Sequence, residues 1–379
     1  MYTNVMIGLG NCGTQIVRAA AQSKKLDDVK LYTIDSVTSS ATLESSQRIT
    51  TIPIICGDKN GSGRNRQRGA EMFEQHLVNG TFTELIEDCK TAKSPIILVT
   101  SAAGGTGSGA TAPMCKKMID CGLDVIPIII CPALNDPDAF HINTSELMLE
   151  LGDVGITTYA IFRNEAGTAD YTDINNEVVT MVEIILGKHY DPTDKDSIDE
   201  SDLEMILSTP GRFIAVSASA PNPDRLKRLI TEKVLTGYQP AWSAEDSEKS
   251  TFMTAFGLTS PFASGDFESV FSNINERIPH RYDEYRNVCN KDGMCNASII
   301  VAGLPRAELK IIDSDFLAAT GIAEGVKTSA KPAFMKKKSK PTSVIPKKVT
   351  PHTRADEPQT TGTPASSENG NVLGNWDWK

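Results

Sequence analysis

Over the first half of the chain, short runs of consecutive apolar residues alternate with amphipathic stretches. VMIGLG passes through a glycine turn into QIVRAAAQ, and VKLYTID follows. SPIILVTSA passes through a second glycine turn into APMCKKMI, and LDVIPIIIC and TTYAIF complete the series. Runs that are apolar at successive positions predict strands buried on both faces, and helices between them predict a parallel sheet covered on both sides. The expected fold class is therefore α/β, with residues 1–172 as a doubly wound parallel sheet domain. Residues 173–190 are expected to form a long central helix, with Val178, Val179, Val182, Ile185 and Leu186 at helical spacing, Asp173 as its cap and Gly187 near its end.

After the acidic stretch YDPTDKDSIDESDLEMIL, the strand-like runs GRFIAVSAS, STFMTAFGL and NASIIVAGLP enclose the helical segments PDRLKRLITEKVL and FESVFSNINERI. They predict a smaller α+β domain, residues 191–326, whose last strand ends near Pro305. From residue 327 to 379 large apolar residues give way to Lys, Pro, Thr, Ser and Gly, the composition of a disordered basic tail. Its terminal VLGNWDWK carries Trp376 and Trp378, which suit a docking peptide on a flexible tether.

A chain of 379 residues that is 40% hydrophobic can bury a core and is long enough for two domains. Its eight cysteines form no CxxC pair and have no accompanying His set, which argues against a zinc knuckle or a secreted disulfide framework. With no signal-like N-terminus and no apolar run of membrane-spanning length, a cytoplasmic protein is expected. From Lys327 onward ten Lys and Arg face four Asp and Glu, a tail near +6, which leaves the body near −16. An acidic body is not expected to bind nucleic acid directly, whereas the tail suits an anionic partner.

The glycine turns carry the candidate chemistry. Gly8, Gly10 and Gly13 between a strand and a helix match GxGxxG, and Asp35 lies 22 residues beyond Gly13 at the end of the next strand, where a dinucleotide enzyme keeps its ribose-binding acid. An NAD-dependent oxidoreductase is thus a rival reading. Against it stands the second turn, Ala103-Gly104-Gly105-Thr106-Gly107-Ser108-Gly109, whose backbone and hydroxyl donors suit di- and triphosphate oxygens and for which a nicotinamide enzyme has no need. A third segment, Gly61-Ser62-Gly63-Arg64-Asn65 through Gly69, precedes another helix and is placed to close over a terminal phosphate. No GxxxxGK[ST] occurs, so the phosphate charge must be met by amides, helix dipoles and a magnesium ion held through phosphates and water, with no protein metal ligand expected.

Taken in order, these loops resemble the tubulin/FtsZ superfamily of filament-forming GTPases. Gly10-Asn11-Cys12-Gly13-Thr14-Gln15-Ile16 is similar to the tubulin form of the first phosphate loop, Gly104 to Gly109 resembles the superfamily signature, and Gly61 to Gly69 resembles the γ-phosphate loop of FtsZ. The resemblance implies GTP and GDP as ligands, with Asn164 contacting the guanosine and Asn175 facing the guanine. It implies that Ile198-Asp199-Glu200-Ser201-Asp202-Leu203 is the hydrolytic loop, with Asp199 and Asp202 reaching into the pocket of a neighbouring subunit in a head-to-tail filament. Ser197 stands where FtsZ has Asn. The DIN start of the central helix and the acidic loop resemble the phage and plasmid TubZ branch, in which a DNA-bound adaptor grips the tail. An FtsZ-like or archaeal-tubulin-like role in division or cell shape is the alternative, and a scaffold that binds nucleotide without turnover is a further one.

Overall fold

The computed structural model describes residues 3–37, 48–56, 61–164, 170–190, 197–243, 245, 247 and 250–305. β1 (Asn4–Leu9) leads into α1 (Gly10–Ala20), and β2 (Val29–Asp35), β3 (Ile49–Pro53), α2 (Arg66–Val78) and α3 (Thr83–Thr91) follow. Next come β4 (Ile96–Ser101), α4 (Thr106–Asp120), β5 (Val125–Cys131), α5 (Asp138–Asp153), β6 (Thr158–Arg163) and α6 (Thr172–Ile185). The remainder comprises α7 (Glu200–Leu207), β7 (Gly211–Ala220), α8 (Pro223–Thr236), β8 (Phe252–Ser260), α9 (Ala263–Asn275), β9 (Arg281–Asn290) and β10 (Cys295–Leu304).

The strands form one sheet in the order β3-β2-β1-β4-β5-β6-β7-β10-β8-β9. β1 to β7 are mutually parallel, so the expected doubly wound layout is present, and all their C-terminal ends lie along one edge. β10 runs antiparallel to β7 and β8, and β9 lies parallel to β8. Alternate residues of each buried strand serve different cores. Met6, Val99, Ile128 and Phe162 face α1 and α6, whereas Ile7, Leu98, Ile129 and Ile161 face the side of α3, α4 and α5. That division explains why these strands read as unbroken apolar runs. β7, β8 and β10 divide in the same way between the α6 side and a third cluster with α8 and α9.

Two strands escape the sequence pattern, both at sheet edges. β3 (ITTIP) is short, Thr-rich and closed by a proline, and β9 (RYDEYRNVCN) carries Arg281, Asp283, Glu284 and Arg286 and buries only Asn287 fully. Edge strands are kept short or charged because an apolar edge would pair with other chains, and the same property hides them from an apolar-run reading. The central helix also starts differently from expectation. Asp173 sits inside its first turn, and Asp170 Oδ1 accepts from the Thr172 amide at 2.8 Å. The expected tail, with its lysines and tryptophans, lies outside the described residues. Among the described residues no helix is long and apolar enough to cross a membrane.

Candidate functional site

The strand order reverses between β1 and β4, and in open α/β sheets ligands bind outside the carboxyl ends of the strands at such a point. Both glycine turns are there. Leu9 pairs with Thr100, so the chain leaves β1 and β4 side by side. The two turns touch closely enough that a Cβ on Gly10 would lie 2.9 Å from the Gly107 nitrogen. Gly10 also holds φ at +68°, a conformation that costs an L-residue about 1–2 kcal/mol.

The pattern predicted helices beginning near Gln15 and Ala112, yet α1 begins at Gly10 and α4 at Thr106. The residues expected in loops therefore form the first helical turns. Their cap positions are held by Leu9 and Gly105, which have no side-chain acceptor, and neither first turn contains an acid. By contrast, Asn65, Asp199 and Asn222 cap α2, α7 and α8 with side-chain oxygens. The uncapped turns leave amide donors and the positive ends of two helix dipoles at the crevice, a ready anion site. Within the signature run, a Cβ on Gly104 would meet nothing within 4 Å, whereas one on Gly109 would lie 2.2 Å from Arg66 O. Gly104 is the open rim, and Gly109 is a packing glycine. Gly13 is of the second kind, since a Cβ there would meet Val99 O at 2.5 Å.

The third segment is stitched to the second. Thr106 Oγ1 donates to Ser62 Oγ at 3.0 Å and shares a short hydroxyl contact with Ser36 Oγ, so the ends of β2, the approach to α2 and the start of α4 meet in one buried chain of hydroxyls. Gly63 and Arg64 both adopt positive φ (64° and 62°), and the Arg64 guanidinium lies 5.1 Å from the Phe140 ring centroid on α5. Asn65 spends its side-chain oxygen on the Arg68 amide as the cap of α2. Behind it the buried Arg66 pairs with Glu150 of α5 and donates to Ser108 O, tying α2, α4 and α5 together.

Other expected residues collect at the same edge. Asp35 closes β2, buried, with its carboxylate accepting from the Ser36 amide at 2.7 Å. Asn11 and Gln15 are exposed on α1, and desolvation pushes the half-buried Cys12 thiol between them up to about 12. Asn164 follows β6 with its amide on Cys131 O, and the half-buried Asn175 lies in the first turns of α6, the helix packed on α1.

Asp199 and Asp202 lie elsewhere. They form a reciprocal capping box at the start of α7, each carboxylate accepting the other's backbone amide at 3.0 Å. The next residue, Glu200, pairs with Lys93 at 2.7 Å, and the Lys93 amide donates to Thr3 O just before β1. The acids therefore stand at the amino end of the sheet, about 20 Å from the glycine turns for six residues of strand at ~3.3 Å each. A cavity of about 930 Å³ opens beside them, lined by Thr3, Asn4, Ser94, Ser197, Asp199 and Glu200 among others. The resemblance singled out these two acids, but neither their capping role nor their position relative to the crevice was legible in the sequence.

Sequence reasoning missed Ser36, Arg66 and Asn143. The Nδ2 of Asn143 on α5 donates to Ala103 O at 3.0 Å and approaches Gly104 O and Arg64 O at 3.4 Å. A single Asn forty residues from the loop it touches gives no local signal.

The Tubulin/FtsZ family, GTPase domain, matches residues 4–168. No curated protein sequence matches the chain. Among solved structures, CetZ2 from Haloferax volcanii in a GTPγS-bound protofilament superposes with a TM-score of 0.66 at 15% identity, covering 86% of this chain and 99% of that one. An FtsZ dimer from M. jannaschii gives 0.62 at 13% identity, covering 82% and 94%. TubZ of Clostridium botulinum phage c-st gives 0.60 at 13%, covering 86% and 98%. At these identities the likeness is one of fold.

Proposed function

We propose, for a chain that belongs to the tubulin/FtsZ superfamily, that the crevice at the ends of β1 and β4 binds GTP and that hydrolysis is completed by a second molecule. The uncapped first turns of α1 and α4, with Ala103 to Gly109 and Gly10 to Gly13, receive the phosphates. Gly61, Gly63, Arg64 and Asn65 flank the terminal phosphate, and Asp35, Asn164 and Asn175 face the nucleoside. A magnesium ion carried by the phosphates and water belongs to this reading. When bound, that ion would offset phosphate charge.

The observation that carries the reading is the separation of the acids from the crevice. Asp199 and Asp202 stand at the opposite edge of a parallel sheet and cannot reach their own molecule's phosphates, whereas head-to-tail stacking sets that edge against the next molecule's crevice. There they would orient and polarise the attacking water. Phosphate release and sedimentation with GTP and with ATP test this: GTP-selective release accompanied by pelletable filaments is expected. Release by a protein that never assembles would overturn it.

The cellular role, positioning DNA through a partner on the basic tail, rests on the DIN helix start, the acidic loop and the tail charge. Truncation at Lys327 is expected to spare assembly and remove partner binding.

A further inference from the structure

The amides of a phosphate-binding loop can face a ligand only if the carbonyls of the same peptides face away. In a planar trans peptide, C=O and N–H point in opposite directions. The Ala103 carbonyl shares its peptide with the Gly104 amide, and the Gly104 carbonyl shares its own with the Gly105 amide. Asn143 Nδ2 donates to the first carbonyl at 3.0 Å and approaches the second at 3.4 Å. Ser108 Oγ also donates to Gly104 O at 2.5 Å. Among the described residues neither the Gly104 nor the Gly105 amide donates a backbone hydrogen bond. The same Nδ2 lies 3.4 Å from Arg64 O, so one side-chain amide holds carbonyls from both the second and third segments. Three carbonyl oxygens around it also fix which end of the side chain is nitrogen.

The arm that carries this amide is braced. Phe140, one helical turn before Asn143, lies under the Arg64 guanidinium, and Glu150 is paired with the buried Arg66. Thr144 Oγ1 bonds back to Phe140 O at 2.8 Å. α5 is thus fixed to the approach to α2 at two places, with Asn143 between them.

We propose that Asn143 is a positioning residue for polyphosphate binding, holding the Ala103 and Gly104 carbonyls toward α5 so that the Gly104 and Gly105 amides face the phosphates. The inference deepens the nucleotide reading above and rests on it. Asn143 does not touch the nucleotide; it sets the direction of groups that do.

The test uses the full chain with Asn143→Ala and Asn143→Asp, titrated with GTP and separately with inorganic triphosphate between pH 5 and 8. Near pH 7.5 both variants are expected to bind either ligand roughly ten- to a hundredfold more weakly, the worth of a hydrogen bond to a charged group. Asn143→Asp has a signature that a general loss of packing lacks. Its carboxylate repels the carbonyls, while its acid form again has a proton to donate, so affinity recovers toward about pH 5, where an aspartate crowded by carbonyls is protonated. Asn143→Ala shows no such recovery. Wild-type affinity in both variants, or a pH-independent loss in Asn143→Asp, overturns the proposal. Should Asn143→Asp fail to fold, the affinity of Asn143→Ala, with an unchanged unfolding midpoint, decides alone. A wild-type protein that takes triphosphate but not GTP would sink the nucleoside reading and leave the clamp standing. One that takes neither ligand would end both.

Discussion

Adjacent glycines of the signature run respond oppositely to the same added methyl group. A Cβ on Gly105 would lie 2.4 Å from Ser62 Oγ and 2.7 Å from backbone atoms of Arg64 and Asn65, so Gly105→Ala must push the third segment away from α4. Gly105 has φ of −88°, so the cost is steric and not conformational. Overpacking of this kind costs about 1–3 kcal/mol. A Cβ on Gly104 meets nothing within 4 Å, and its φ is not in the left-handed region, so Gly104→Ala should leave stability within roughly 0.5 kcal/mol of wild type. Yet that open space is where the phosphates are proposed to lie, and one displaced charge-assisted hydrogen bond weakens GTP binding by about 1.5–3 kcal/mol, or roughly ten- to a hundredfold. Urea denaturation without nucleotide reads the first quantity, and GTP titration calorimetry reads the second. The expected pattern is a Gly105→Ala protein that is less stable and a Gly104→Ala protein that is as stable as wild type but binds poorly. Equal stability losses, or wild-type affinity in Gly104→Ala, would refute the placement of the crevice.

Asp202→Ala is expected to slow phosphate release and prolong filament lifetime by turbidity while leaving the GTP affinity of the unassembled protein unchanged, because α7 lies at the far edge of the sheet. Since Asp202 is half of a capping box, the variant also loses about 0.5–2 kcal/mol of stability in urea. Glu183 on α6 offers a pH test. Burial raises its carboxyl, but hydrogen bonds from His189 and Ser23, with Lys25 nearby, outweigh this and hold it below the ordinary range. A lowered folded-state value means that the stabilisation is complete above the unfolded value of about 4.3 and is lost as pH falls through the folded one. Glu183→Gln should therefore be less stable than wild type near pH 7, with the gap in unfolding midpoint closing only in that acid range. A gap that persists at low pH would show that the lost stability is not electrostatic.

The sheet was legible because strands such as Ile96–Ser101 and Val125–Cys131 are buried on both faces and must be apolar throughout. The edge strands β3 and β9 obey the opposite requirement and were invisible for that reason. Glycine runs gave the phosphate turns but misplaced the helix starts, since Gly10 and Gly107 are poor helix formers whose backbone is set by the contact between the two turns. Asn143 was beyond reach because its partners lie about forty or more residues away, whereas Arg66 and Ser36 stand beside residues the pattern did mark but pair with other elements that sequence spacing does not bring to them. Asp199 and Asp202 could be singled out only by resemblance. That they stand at the far edge from their own crevice follows from the contacts that tie α7 to the start of β1 in a parallel sheet.

The most direct test of the shared site is GTP turnover per molecule measured across protein concentration. Negligible turnover is expected below a threshold and a steep rise above it, where one molecule's acids meet the next molecule's nucleotide. A turnover number that stays constant from well below that threshold to well above it would contradict the shared site.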